Sequence, residues 1–219
     1  MPLRFSSFCF LPLVATLTPF IGVGVVSAVL PAPALAPEPD PIPRSWQLDL
    51  KPGELRLARL QRPDGSVAAY FYMSYRVTNK TGEDVLLAPS FELADGEGTV
   101  LRSGRGVPLD VSDAIRKELG NPLIEDQISI LGMLLQGDEN AKDGLVIWPA
   151  GSLSSSELTV YAAGFSGEVK FVSALNPKSK QREQVATYKT LKLRYKTGGD
   201  MTNRGTEPFT PFEQSWIMR

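Results

Sequence analysis

The chain has no histidine and a single cysteine, Cys9, among its 219 residues. The first absence removes the commonest general base and the commonest zinc ligand. The second excludes an intrachain disulfide, a cysteine zinc cluster and a cysteine–histidine dyad. A dominant charge of one sign is also missing. With 23 basic side chains against 24 acidic ones, the chain lacks the basic excess of a dedicated nucleic-acid binder, and no nucleic-acid partner is expected. The length allows one domain, or at most two small ones.

What is present begins with an address. Arg4 gives a short positive start, and Phe8 to Val26 is apolar apart from scattered Pro, Thr and Gly. Val26-Ser27-Ala28 then places small residues where a signal peptidase reads, so residues 1–28 are expected to be a signal peptide cleaved after Ala28. The alternative is an uncleaved anchor, because Phe8 to Leu30 is just long enough to span a bilayer. In that case the membrane is met only through this N-terminal segment. Cleavage leaves no cysteine, and an exported chain without disulfides points to a bacterial envelope, periplasmic or extracellular. Residues 29–45 carry prolines at 31, 33, 37, 39, 41 and 43 and read as an extended linker.

From Trp46 the period is two. Trp46, Leu48 and Leu50 alternate with polar residues up to Pro52-Gly53, and Leu55 and Leu57 continue to the turn Pro63-Asp64-Gly65. The longest strand is expected over Val67–Thr78, with Phe71, Met73 and Tyr75 on one face and Tyr70 and Tyr72 on the other. Further strands are expected at Val85–Leu87, around Phe91 and Leu93, and at Leu145–Trp148 and Leu158–Ala163. A final hairpin pairs Val169–Leu175 with Val185–Lys196. One helix interrupts them, capped by Asp110, striped by Val111, Ile115 and Leu119, and stopped by Gly120-Asn121-Pro122. Leu123–Leu135 fits a helix, while Ile128–Leu135 also fits a buried strand. About eight short strands point to an antiparallel β-sandwich over residues 46–197 with a short helical insertion. The tail, 198–219, carries Phe209, Phe212 and Trp216, which suit the covering of an open sheet edge.

The segment Tyr75-Arg76-Val77-Thr78-Asn79-Lys80-Thr81-Gly82, followed by Phe91-Glu92-Leu93-Ala94-Asp95-Gly96, resembles the opening of bacterial extracytoplasmic immunoglobulin-like domains. Gly137-Asp138-Glu139 with Gly144–Pro149 looks like their glycine-marked return strand, and Leu158–Tyr161 like the strand after it. The resemblance covers roughly residues 67–165. It implies an immunoglobulin-like sandwich and an envelope location, and it transfers no catalytic residue.

Candidate chemistry is thin. Gly137–Gly144 resembles half a calcium loop, but Lys142, Gly144 and Pro149 fall where ligands belong, so a solvated loop is expected and no metal or other cofactor is implied. Glu83-Asp84, Glu125-Asp126 and Asp138-Glu139 are adjacent carboxylates, and neighbours on a strand face opposite ways. Ser166 has no histidine to activate it. Two surfaces are candidates for interaction. Tyr70 and Tyr72, side by side on an outer face, suit stacking on a sugar ring or anchoring an interface; the alternative is packing beneath the helical insertion or the tail. Charge is divided, with net −8 over residues 83–143 and net +6 over residues 168–196. Within the basic part, Lys192, Arg194 and Lys196 line one strand face, suited to an acidic polymer, an anionic lipid surface or an acidic protein. The alternative is an edge strand guarded by lysine.

The expected function is a non-catalytic exported module that binds or builds in the envelope. The alternatives are a carbohydrate-active enzyme using two carboxylates and a membrane-anchored subunit of an envelope assembly.

Overall fold

A computed structural model describes residues 36–62, 65–151, 155–176 and 178–219. The signal or anchor segment, Cys9, the first part of the linker and the Pro63-Asp64 turn lie outside the described residues. The chain is mainly β with antiparallel sheets. Among the described residues no helix is long and apolar enough to cross a membrane.

The first sheet is built on β1 (Asp49–Gln61) and β2 (Val67–Asn79), paired antiparallel from Asp49↔Thr78 to Gln61↔Val67. The Pro52-Gly53 break expected in β1 is absorbed as a bulge between Pro52 and Leu55, and the strand continues. A short pair of elements follows, β3 (Val85–Leu87) and β4 (Ser90–Asp95), the second forming a turn with β5 (Val100–Arg102). Next is α1 (Leu109–Leu119). Its N-cap position is Pro108, with no side-chain cap, so Asp110 sits in the first turn, where it meets the helix dipole. Gly120, with φ 64°, closes it in the left-handed conformation as the sequence indicates.

The ambiguous segment after the helix is neither a helix nor one strand. It holds β6 (Ile124–Glu125), a turn in which the Asp126 carboxylate accepts from the N–H groups of Ile128 and Ser129, and β7 (Gly132–Leu134) paired with β3. A strand, β8 (Gly137–Pro149), then crosses β2 in antiparallel register. It begins eight residues earlier than the apolar run at Leu145 suggests, so the expected solvated loop at Gly137–Gly144 is part of a strand. Gly144 is required there, because a Cβ at this position would meet the Tyr75 ring at 2.3 Å.

The second sheet contains β9 (Glu157–Ala163), β10 (Val169–Leu175), β11 (Arg182–Lys196) and β12 (Pro211–Met218), with β4 and β5 beyond β9. The tail does cover an edge: β12 pairs with β11 from Lys189↔Met218 to Tyr195↔Pro211. β9 and β10 lie in succession along the other edge of β11.

One apolar core joins the inner faces of both sheets. Leu57, Phe71, Met73, Tyr75, Val146 and Trp148 from the first sheet meet Phe91, Leu93, Val160, Leu191, Leu193 and Tyr195 from the second. The Tyr75 and Phe91 rings lie 4.7 Å apart across the layers. A second, smaller cluster sits on the outer face of the first sheet, where Val111 and Ile115 of α1 cover Tyr70, Tyr72, Leu145 and Ile147. β2 is therefore buried on both faces over Tyr70–Met73.

Candidate interaction surface

The helix decides the fate of the tyrosines. Tyr70 and Tyr72 are 1% and 4% exposed, so neither presents a ring to solvent, and the exposed aromatic platform is not formed. Both pack beneath the helical insertion. The Tyr70 hydroxyl accepts from Arg62 at 3.0 Å, and burial pushes the Tyr72 phenol above its ordinary pKa. The alternation placed them on the correct face; it carried no sign that a helix covers that face.

The basic face on β11 is also altered. Lys192 Nζ lies 2.5 Å from Glu213, and Arg194 bridges Glu157 at 2.7 Å and Glu213 at 2.6 Å. Lys196 has no ion pair among the described residues and stands 5.2 Å from the centre of the Phe212 ring. Of the three, two are neutralised by acidic partners on β9 and β12. Nor is this part of β11 an edge, since β9 flanks one side and β12 the other. The guarded-edge alternative does not apply to it.

Unpaired positive charge lies elsewhere. Lys170 and Lys189 are engaged by Asp40 and Glu168, whereas Lys178, Lys180 and Arg182 make no ion pair among the described residues. Those three sit at the tip of the β10–β11 hairpin. The hairpin projects past the sheet as a two-stranded arm, residues 169–188, because β12 stops level with its root. At that point Tyr188 and Arg219 exchange both backbone bonds, at 2.7 and 3.0 Å.

The hydrogen bonds fix which groups of the arm are free. At the root, Lys189 N–H donates to the Glu168 carbonyl at 3.1 Å; at the tip, Asn176 N–H donates to the Gln181 carbonyl at 2.9 Å. With the regular register between them, the even-numbered residues of β10 face β11. The N–H and C=O groups of Val169, Phe171, Ser173 and Leu175 therefore point to the open edge. Their side chains share one face, where Phe171 is 70% exposed and Leu175 60%, with Tyr188 opposite Val169 at 53%.

The root is the rigid part. Glu168 and Lys189 form a buried ion pair at 2.9 Å, and Asp40 N–H donates to the same carboxylate at 2.7 Å. Burial pushes the Glu168 pKa up, but the Lys189 and Asp40 hydrogen bonds outweigh it and hold the group below its ordinary value. The Lys170 ammonium, bonded to Asp40 at 2.7 Å, likewise lowers the Asp40 carboxyl. The last residues of the proline-rich stretch are thus docked on the domain rather than free of it.

Most of the remaining candidates are occupied structurally; the Glu83 and Glu139 carboxylates make no ion pair among the described residues. Asp126 caps a turn, Glu125 pairs with Lys142 at 3.2 Å, Asp138 with Lys80 at 2.9 Å, and Asp143 with Arg76 at 3.2 Å. The Ser166 hydroxyl accepts from Glu168 N–H. Among the described residues no three metal-ligating side chains come together. A cleft of about 290 Å³ lies between the start of α1 and the Asp126 turn, beside the exposed Leu109 and Ile128.

No family model matches the chain, and neither a curated protein nor a solved structure shows significant similarity to it.

Proposed function

We propose that this chain is an exported, non-catalytic β-sandwich, immunoglobulin-like in layering, that serves as a binding or structural module in a bacterial envelope. The arm is its working surface. The observation that carries this reading is the pairing of an exposed apolar face with an unguarded strand edge. A two-stranded ribbon alone is marginal in water, and an edge without charge, proline or bulge is a template for another strand. From Phe171 to Leu175 β10 has none of the three. The leader and the proline-rich stretch support export, and for an exported chain the lack of disulfide-forming cysteines favours a bacterial envelope. The engagement of Asp84, Glu125, Asp126 and Asp138 in ion pairs and hydrogen bonds supports a role without catalysis.

The test is photo-crosslinking in cells that export the full chain, with a photoreactive residue in place of Phe171 and, as a control, of the exposed Lys117 on α1. The expected result is a discrete adduct in the envelope fraction from position 171 and none from position 117. No adduct from position 171 overturns the reading.

A further inference from the structure

We infer that the open edge of β10 pairs with β10 of a second copy of this chain, in antiparallel register about a two-fold axis at Val172. The inference rests on the arm being the working surface, and it names the partner.

Self-pairing satisfies the edge by parity. The free groups belong to odd-numbered residues, and a two-fold axis at Val172 sets Phe171 opposite Ser173 and Val169 opposite Leu175, odd against odd. Those pairs exchange the bonds left open among the described residues of the single chain, and Val172 meets its copy in the closer, non-hydrogen-bonded type of pair. The run Phe171-Val172-Ser173-Ala174-Leu175 is uncharged, so no like charges oppose one another. Phe171, Leu175 and Val169 of both copies then lie on one continuous face, flanked by Tyr188. An isologous contact of this kind closes on itself and leaves no further edge on β10.

Charge fits the same arrangement. Antiparallel pairing brings the tip of each arm to the root of the other, with Asn176 level with Glu168 of its copy. The tip carries Lys178 and Lys180 with Arg182 on β11, none paired among the described residues. The root carries Asp40 and the exposed Glu38, whose carboxylate makes no ion pair among the described residues. The described residues of the proline-rich stretch, 36–45, do not fill the edge. Trp46 takes the last bond on that side, accepting from Gly167 N–H at 3.0 Å, and the residues before it turn to Glu168 and Lys170.

The test uses the full chain purified from the envelope fraction. Sedimentation measures the wild type beside Ser173→Pro, which removes a donor only from the open edge, and Phe171→Lys, which adds a guarding charge. The expected result is a wild-type dimer that each substitution weakens by about tenfold or more, without loss of Tm in protein dilute enough to be monomeric. Val172→Cys is expected to form an interchain disulfide on oxidation, because its Cα meets its copy at about 4.5 Å, while Ala174→Cys, displaced from the axis, does not. A monomeric wild type, or a dimer indifferent to both edge variants, overturns the inference. So does Val172→Cys failing to link in a dimer. The crosslink from position 171 separates the two proposals. An adduct with a different protein removes the second copy and leaves the binding reading standing; no adduct removes both.

Discussion

Lys189 and Glu168 face each other at 2.9 Å in the buried root of the arm, one on β11 and the other just before β10, and their backbones are joined by a 3.1 Å hydrogen bond. The pair ties the projecting β10–β11 hairpin to the sheet, and Asp40 and Lys170 complete the cluster. Breaking one side leaves a buried charge without its partner. Glu168→Gln is expected to lower stability by about 3 kcal/mol, the low end for a broken buried ion pair. Adding Lys189→Met should restore part of the loss, which a double-mutant cycle by denaturant unfolding measures.

Phe171 and Tyr72 separate a surface aromatic from a core one. Phe171→Ala is expected to change the unfolding free energy of the monomer by no more than about 0.5 kcal/mol, because its ring is mostly in solvent. Tyr72→Ala, which empties the space beneath α1, is expected to cost about 3 kcal/mol. Thermal unfolding of the two variants checks both.

Tyr75 carries a buried hydroxyl with no hydrogen-bond partner among the described residues, and burial pushes its pKa above the ordinary value. Tyr75→Phe deletes that group and keeps the ring contacts with Phe91 and Phe165. Stability should hold or rise by up to about 1 kcal/mol. A fall in Tm would show that the hydroxyl is satisfied.

Glu213 is held down to a pKa of about 2 by its hydrogen bonds with Lys192 and Arg194, from an ordinary 4.5. A depressed carboxyl binds its proton more weakly folded than unfolded. Its contribution to stability is therefore complete above the ordinary value and disappears as the pH falls from about 4.5 towards 2. Lys192→Gln should raise the Glu213 pKa and shift its loss to higher pH, read from the side-chain carboxyl resonance.

Period-two alternation located most strands, and Gly120 marked the end of the helix, because those signals are local. Tyr70 and Tyr72 show where local signals stop. Their face of β2 follows from alternation, but its covering by α1 is a long-range contact with no trace in the strand itself. Lys192 and Arg194 fail for a related reason: Glu157 and Glu213, which neutralise them, lie 37 and 19 residues from Arg194 in the chain. Gly137–Gly144 was obscured because its polar composition suits a loop, while β2 supplies the pairing that makes it a strand. Phe171 was within the expected hairpin, but both faces of Val169–Leu175 carry apolar residues, the pattern of a buried strand. Only the positions at which β12 and β4 stop reveal that no described residue covers it.

Amide hydrogen exchange along β10, followed against protein concentration, tests most directly whether the arm is a working edge. Lys170, Val172 and Ala174 donate to β11 and should be protected at every concentration. Phe171, Ser173 and Leu175 should exchange rapidly in dilute protein and become protected as the second copy occupies the edge. Rapid exchange of those three at all concentrations, in a protein isolated with its envelope partners intact, would contradict the account.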